Sequence, residues 1–210
     1  MKRAVLLCLA LASCSPTPAP KHSSPAAGPT ALFVGDSLTA GYGVEPEEAW
    51  PALIQEDWKQ RGLPWRARNA AVSGATSAGA AEEVAWALTP DVKLVFVCIG
   101  GNDGLRGASL TELKKNVSAL IAGLQKRGLR VALAGMRIPP NYGDDYAKGF
   151  ASVFPELARE NGVAFMPFLL DGVAADPALN QADGIHPNAA GHRRVAASVA
   201  AFLDREGLLK

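Results

Sequence analysis

The sequence predicts an α/β domain with a five-stranded parallel sheet in the order 2-1-3-4-5 and helices on both faces, a flavodoxin-like three-layer sandwich. Three observations predict it. From Thr30 onward, short apolar runs alternate with amphipathic ones, the pattern of strand–helix units wound into a parallel sheet. Val92–Ile99 is apolar almost throughout, as a strand covered on both sides must be. Five strand candidates are present, a number that suits a single doubly wound domain.

The elements follow in order. Ala31–Gly35 is the first strand. Trp50–Arg61 is a helix, with Trp50, Leu53, Ile54 and Trp58 spaced for one face. Trp65–Ala70 is a short second strand, and Ser77–Leu88 an alanine-rich helix. Val92–Ile99 is the third strand. Ser109-Leu110-Thr111-Glu112 has the spacing of a capping box. It opens a helix carrying Leu113, Val117, Leu120, Ile121 and Leu124, which Gly128 ends. Val131–Gly135 is the fourth strand, Tyr146–Asn161 a helix, Val163–Phe168 the fifth strand. Asn188–Glu206 is the last helix, with Val195, Val199, Phe202 and Leu203 on one face.

The 210 residues are 49% hydrophobic and 20% charged, enough to bury one good core. Lys+Arg 21 against Asp+Glu 20 leaves +1, with no basic stripe along any segment. Nucleic acid is therefore excluded as the expected partner.

The first residues read as an addressing segment. Lys2 and Arg3 precede a short apolar run, Ala4 to Ala12, too short to span a bilayer as a helix. We read residues 1–13 as a signal peptide. Its end, Leu11-Ala12-Ser13-Cys14, resembles a bacterial lipobox, which implies cleavage before Cys14 and lipid attachment there. A plain secretory signal with an incidental cysteine is the alternative. Acyl chains on Cys14 would tether the chain to a membrane of the bacterial envelope, facing the periplasm, without a spanning helix. Ser15 resembles a residue that permits transfer to the outer membrane. Residues 14–29 hold Pro16, Pro18, Pro20, Pro25 and Pro29 among small residues, a spacer that favours extended conformations. The domain proper is 30–210. Of three cysteines, Cys8 lies in the signal and Cys14 at its end, so no disulfide framework is expected, and Cys98 reads as a buried small apolar residue.

Chemistry-bearing residues gather where the chain leaves its strands. Phe33-Val34-Gly35-Asp36-Ser37 places a serine just after strand one. Ser73-Gly74 follows strand two, and Gly100-Gly101-Asn102-Asp103 follows strand three. In open parallel sheets these carboxyl ends share one rim, where ligands bind. Downstream, Asp183 stands three residues before His186 in the turn-rich Asp183-Gly184-Ile185-His186-Pro187. Each segment has a bland reading. Gly-Asp-Ser and Asp-Gly are turn pairs, Gly74 can be a loop glycine with positive φ, and Asn102-Asp103-Gly104 a tight turn. Read together they supply a hydroxyl nucleophile (Ser37), a base (His186), a carboxylate to orient it (Asp183) and oxyanion donors in Ser37 N–H, Gly74 N–H and the Asn102 amide. That set is what ester hydrolysis requires.

The blocks Gly35-Asp36-Ser37-Leu38, Gly74, Gly100-x-Asn102-Asp103 and Asp183-x-x-His186 resemble the four signatures of the SGNH (GDSL) hydrolases. Ala40-Gly41-Tyr42-Gly43, Asn69-Ala70-Ala71-Val72-Ser73-Gly74, Leu105-Arg106-Gly107, Pro140-Asn141-Tyr142-Gly143 and Pro187-Asn188 extend the likeness to the branch of bacterial envelope arylesterases, lysophospholipases and acyl-CoA thioesterases. It covers about residues 30–205. The resemblance implies a serine esterase acting on a small-molecule or lipid ester, with Ser37, Asp183 and His186 catalytic, Ser37, Gly74 and Asn102 as oxyanion hole, and neither metal nor cofactor. An acyltransferase or carbohydrate deacetylase would use the same site, and a lipid-binding envelope lipoprotein with an idle site is the non-enzymatic alternative. Ala75 stands where that branch often has an acidic residue, which bears on the loop around Ser73–Gly79 as a substrate contact. No Gly-x-Ser-x-Gly elbow is present.

Overall fold

The structure, a computed structural model, describes residues 28–210. The expected signal peptide, Cys14 and most of the spacer lie outside the described residues. Five strands, β1 (Thr30–Gly35), β2 (Arg66–Asn69), β3 (Val92–Cys98), β4 (Arg130–Ala134) and β5 (Ala164–Met166), form one sheet. Its order is β2-β1-β3-β4-β5, and every pair is parallel. The helices are α1 (Ser37–Ala40), α2 (Trp50–Gln60), α3 (Ser77–Ala87), α4 (Gly101–Leu105), α5 (Leu110–Lys126), α6 (Asp144–Asn161) and α7 (Ala189–Arg205). Helix α2 packs beside α7, while α3 packs on α5 and α5 on α6, so the two groups sandwich the sheet. The expected fold and strand order are those observed.

Burial explains the strand compositions. Every residue of β1 is buried, and in β3 only Lys93 is exposed. Phe33 and Phe96 are register partners and point to one face. There Phe33 meets Trp50 edge-on at 4.8 Å between centroids, and Phe96 meets Phe202 at 6.0 Å. The edge strand β2 is by contrast Arg-Ala-Arg-Asn, partly exposed throughout.

The elements end where local chemistry makes them end. Val163–Phe168 was expected as a strand, but only Ala164–Met166 joins the ladder, since Pro167 has no N–H to donate. The Ser109 box is half formed. Ser109 Oγ accepts from Glu112 N at 3.4 Å, but the Glu112 carboxylate turns to Lys115 at 3.3 Å. Helix α6 starts two residues before Tyr146, because Asp144 and Asp145 suit a helix N-terminus. Cys98 is buried, and burial pushes its thiol well above its usual range, as befits a core residue.

His192 on α7 is also buried, and its Nδ1 accepts the Trp50 N–H at 3.3 Å. Burial lowers its pKa from 6.5 to about 4. The folded imidazole thus stays neutral while the unfolded one takes a proton below pH 6.5. This contribution to stability is present at pH 7 and is lost as pH falls from about 6.5 to about 4, on the order of 3 kcal/mol in all. Urea denaturation at pH 7 and pH 4.5 should show a steeper acid loss for the native chain than for His192→Gln.

Candidate active site

Three strand ends and one late loop build the site. At the end of β1 the chain turns sharply at Gly35. A Cβ there would lie 2.4 Å from Thr39 Oγ1 and 2.6 Å from Cys98 O, so only glycine fits. Asp36 then caps α1, its Oδ1 accepting from Leu38 N at 3.1 Å. Ser37 is the first residue of that one-turn helix. After β3, Gly100 at φ 113° swings the chain into α4, which carries Asn102.

Ser37, His186 and Asp183 converge although His186 is 149 residues from the serine. His186 Nε2 lies 2.8 Å from Ser37 Oγ, and its Nδ1 lies 2.7 Å from Asp183 Oδ2. Asp183 Oδ1 accepts from the backbone N–H groups of Ile185 and His186, both at 3.0 Å. Partial burial works to raise the pKa of this carboxyl. The two backbone donors and the imidazole outweigh it, and the net direction is down. An ionised Asp183 holds the proton on Nδ1 and leaves the Nε2 lone pair toward the serine, the geometry of a general base. The Tyr42 ring lies 4.7 Å from the imidazole. Gln181 braces both loops, its Nε2 donating to Tyr42 O at 2.6 Å and Pro187 O at 2.9 Å, its N–H to His186 O at 2.8 Å.

Two of the expected oxyanion donors, Gly74 and Asn102, are tied together by α4 and its C-cap Arg106. Asn102 Nδ2 donates to Ala75 O at 3.0 Å, and Arg106 donates to Gly74 O at 3.2 Å. Asp103 accepts from Ser77 N at 2.9 Å and from Ser77 Oγ at 2.6 Å. One short helix thus clamps the loop from Gly74 to Ser77. Among the described residues the N–H groups of Ser37 and Gly74 donate to no protein acceptor, which leaves them free for a ligand oxygen. Asn102 keeps a second amide proton.

A cavity of about 500 Å³ opens from Ser37, Asn102 and His186. Its walls are largely apolar, including Leu38, Leu105, Met136, Ile138, Phe168 and Leu170. The Ser73–Gly79 loop expected to contact substrate is not part of this lining. Nothing local in the sequence separates these apolar wall residues from core. The roles of Asp103, Gln181 and Asp36 were also missed. Asp36 is buried, and burial pushes its carboxyl up to about 6. Its signal was available, since Asp before a helix start is a cap type. Gln181 and the Asp103–Ser77 contact had no local signal. No group of three His, Cys, Asp or Glu able to hold a metal ion is found among the described residues, and no helix among them is long and apolar enough to cross a membrane. Cys14 lies outside the described residues.

Residues 33–194 match the GDSL-like lipase/acylhydrolase family. Esterase TesA of Pseudomonas aeruginosa is 38% identical over 175 residues, 83% of this chain and 87% of that protein. Thioesterase 1/protease 1/lysophospholipase L1 of Escherichia coli is 37% identical over 164 residues, 78% of this chain and 77% of that one. Among solved structures, psychrotrophic esterase EstA from Pseudoalteromonas sp., inhibited by monoethylphosphonate, superposes with a TM-score of 0.81 at 32% identity. That likeness covers 84% of this chain and 97% of the other.

Proposed function

This chain belongs to the GDSL-like lipase/acylhydrolase family, and from that premise we propose that it is a serine esterase hydrolysing carboxylic esters and thioesters through Ser37, His186 and Asp183. The observation that carries this reading is the relay Ser37 Oγ–His186 Nε2 at 2.8 Å and His186 Nδ1–Asp183 Oδ2 at 2.7 Å. The relatives are named esterase, arylesterase and thioesterase/lysophospholipase, which supports ester-bond chemistry here. The apolar cavity favours an acyl chain, so aryl esters, acyl thioesters and lysophospholipids are the expected substrates.

In the mechanism, His186 takes the Ser37 proton as Oγ attacks the acyl carbonyl. The oxyanion is held by the Ser37 and Gly74 N–H groups and the Asn102 amide. Asp183 stabilises the imidazolium, which gives its proton to the leaving alcohol or thiol. Water then attacks the acyl-serine with His186 again as base, and the acid departs. Placement in the envelope belongs to the same proposal: cleavage after residue 13, lipid on Cys14, and a spacer carrying the domain into the periplasm at the outer membrane.

A fluorophosphonate probe tests the nucleophile. Mass spectrometry should find a single phosphonylated residue, Ser37. Labelling elsewhere, or none in a protein that turns over esters, would refute the assignment.

A further inference from the structure

The end of the domain opposite the site has its own chemistry. All five strands are parallel, so their N-terminal ends share the pole remote from Ser37, about 20 Å away along β3. The described chain enters there. Pro29 O accepts from Arg66 N at 2.9 Å, and Thr30 N donates to Asp91 O at 2.9 Å. At the same pole, on the last turn of α3, Trp86 is 85% exposed. The other three tryptophans are buried, at 0%, 0% and 4% for Trp50, Trp58 and Trp65.

Cations share this pole. Lys93 starts β3, Lys126 and Arg127 end α5, and Arg68 reaches the loop after α3 by donating to Thr89 Oγ1 at 2.7 Å. Leu88, Thr89, Lys93 and Arg127 line one shallow depression. None of the four cations pairs with a carboxylate among the described residues. Of the acids at hand, Asp91 is engaged by Arg66 at 2.7 Å, while Glu82 and Glu83 stand one turn before Trp86 on the same face of α3, on its side toward the catalytic rim.

An exposed tryptophan on the same pole as four cations without carboxylate partners, where a lipid-bearing segment would join, matches an anionic bilayer surface. Indole favours the headgroup region and each cation gains near anionic lipid. We propose that this pole seats the domain on anionic phospholipid headgroups, with the Ser37–His186 rim facing away from the membrane. The proposal rests on lipidation of Cys14 for its tether, but the tether alone does not fix the orientation. Cys14 and Gly28 are separated by 13 residues, which extended would reach roughly 45 Å. That is enough for either pole to meet the bilayer, and Trp86 and its cations select one. The enzyme would then take soluble or delivered esters in preference to lipids of its own leaflet.

The test uses the full chain on vesicles of phosphatidylethanolamine and phosphatidylglycerol with brominated acyl chains. Flotation in 1 M salt reads the tether and should be lost in Cys14→Ser. Quenching of tryptophan emission by bromine reads the seat, and should vanish in Trp86→Phe while flotation and esterase activity persist. Lys93→Glu with Arg127→Glu should weaken quenching likewise. In the Cys14→Ser background at low salt, each cation removed should lower vesicle partitioning by about fivefold. Protein that floats unquenched, or quenching that survives Trp86→Phe, would overturn the seat. Failure to float in 1 M salt would overturn the tether alone, with the low-salt comparison still deciding the seat: equal partitioning of native and charge-reversed chains would sink it.

Discussion

Ser37→Ala will lower kcat for short p-nitrophenyl esters by on the order of 10⁴–10⁶, leaving the fold intact. The magnitude is that of removing the nucleophile from a triad acting as a unit, where the rest of the site cannot substitute. The fold should survive because the Ser37 side chain has one protein partner, His186. The cap of α1 comes from Asp36, and alanine is a good helix former. Thermal denaturation and stopped turnover are the paired measurements. A variant that folds and still turns over at a tenth of the native rate would show that another group attacks the carbonyl, and Ser37 would revert to a turn residue.

Asn102→Ala is expected to lower kcat by about 10²–10³ with KM little changed. One oxyanion donor is typically worth about 2.7–4 kcal/mol, realised only once the carbonyl oxygen carries charge. Here the expected effect lies toward the upper end. Asn102 Nδ2 also holds Ala75 O, so its loss loosens the segment presenting the Gly74 N–H. Two contacts remain, Asp103 to Ser77 and Arg106 to Gly74, so the loosening should be local and the fold intact. Steady-state kinetics on a p-nitrophenyl ester decides it. A rise in KM at constant kcat would mean that Asn102 binds ground-state substrate and is no oxyanion donor.

Much of this was legible along the chain, for identifiable reasons. A parallel strand buried on both faces must be apolar on both, so Val92–Ile99 announced itself. The carboxyl ends of parallel strands in one sheet must lie at one rim, so the sequence itself brings Ser37, Gly74 and Asn102 together. Asp183 and His186 were readable as a pair because their contact is three residues long. Less visible were contacts made across the fold. Nothing near Gln181 signals its hold on Tyr42, 139 residues away. Nothing near Asp103 signals that Ser77 is its partner. The cavity wall formed by Met136, Ile138 and Phe168 comes from segments that carry no motif.

The chain alone therefore determined the alternation of strands and helices, hence a doubly wound parallel sheet, and the residue types brought to its carboxyl rim, because periodicity is a local property and such alternation admits few topologies. Only the tertiary structure decided that His186 Nε2 comes to 2.8 Å from Ser37 Oγ, which apolar residues wall the cavity and which fill the core, and that Trp86 stands bare at the far pole. Those depend on packing between elements distant in sequence, and a side chain's own type says nothing of which neighbour will reach it.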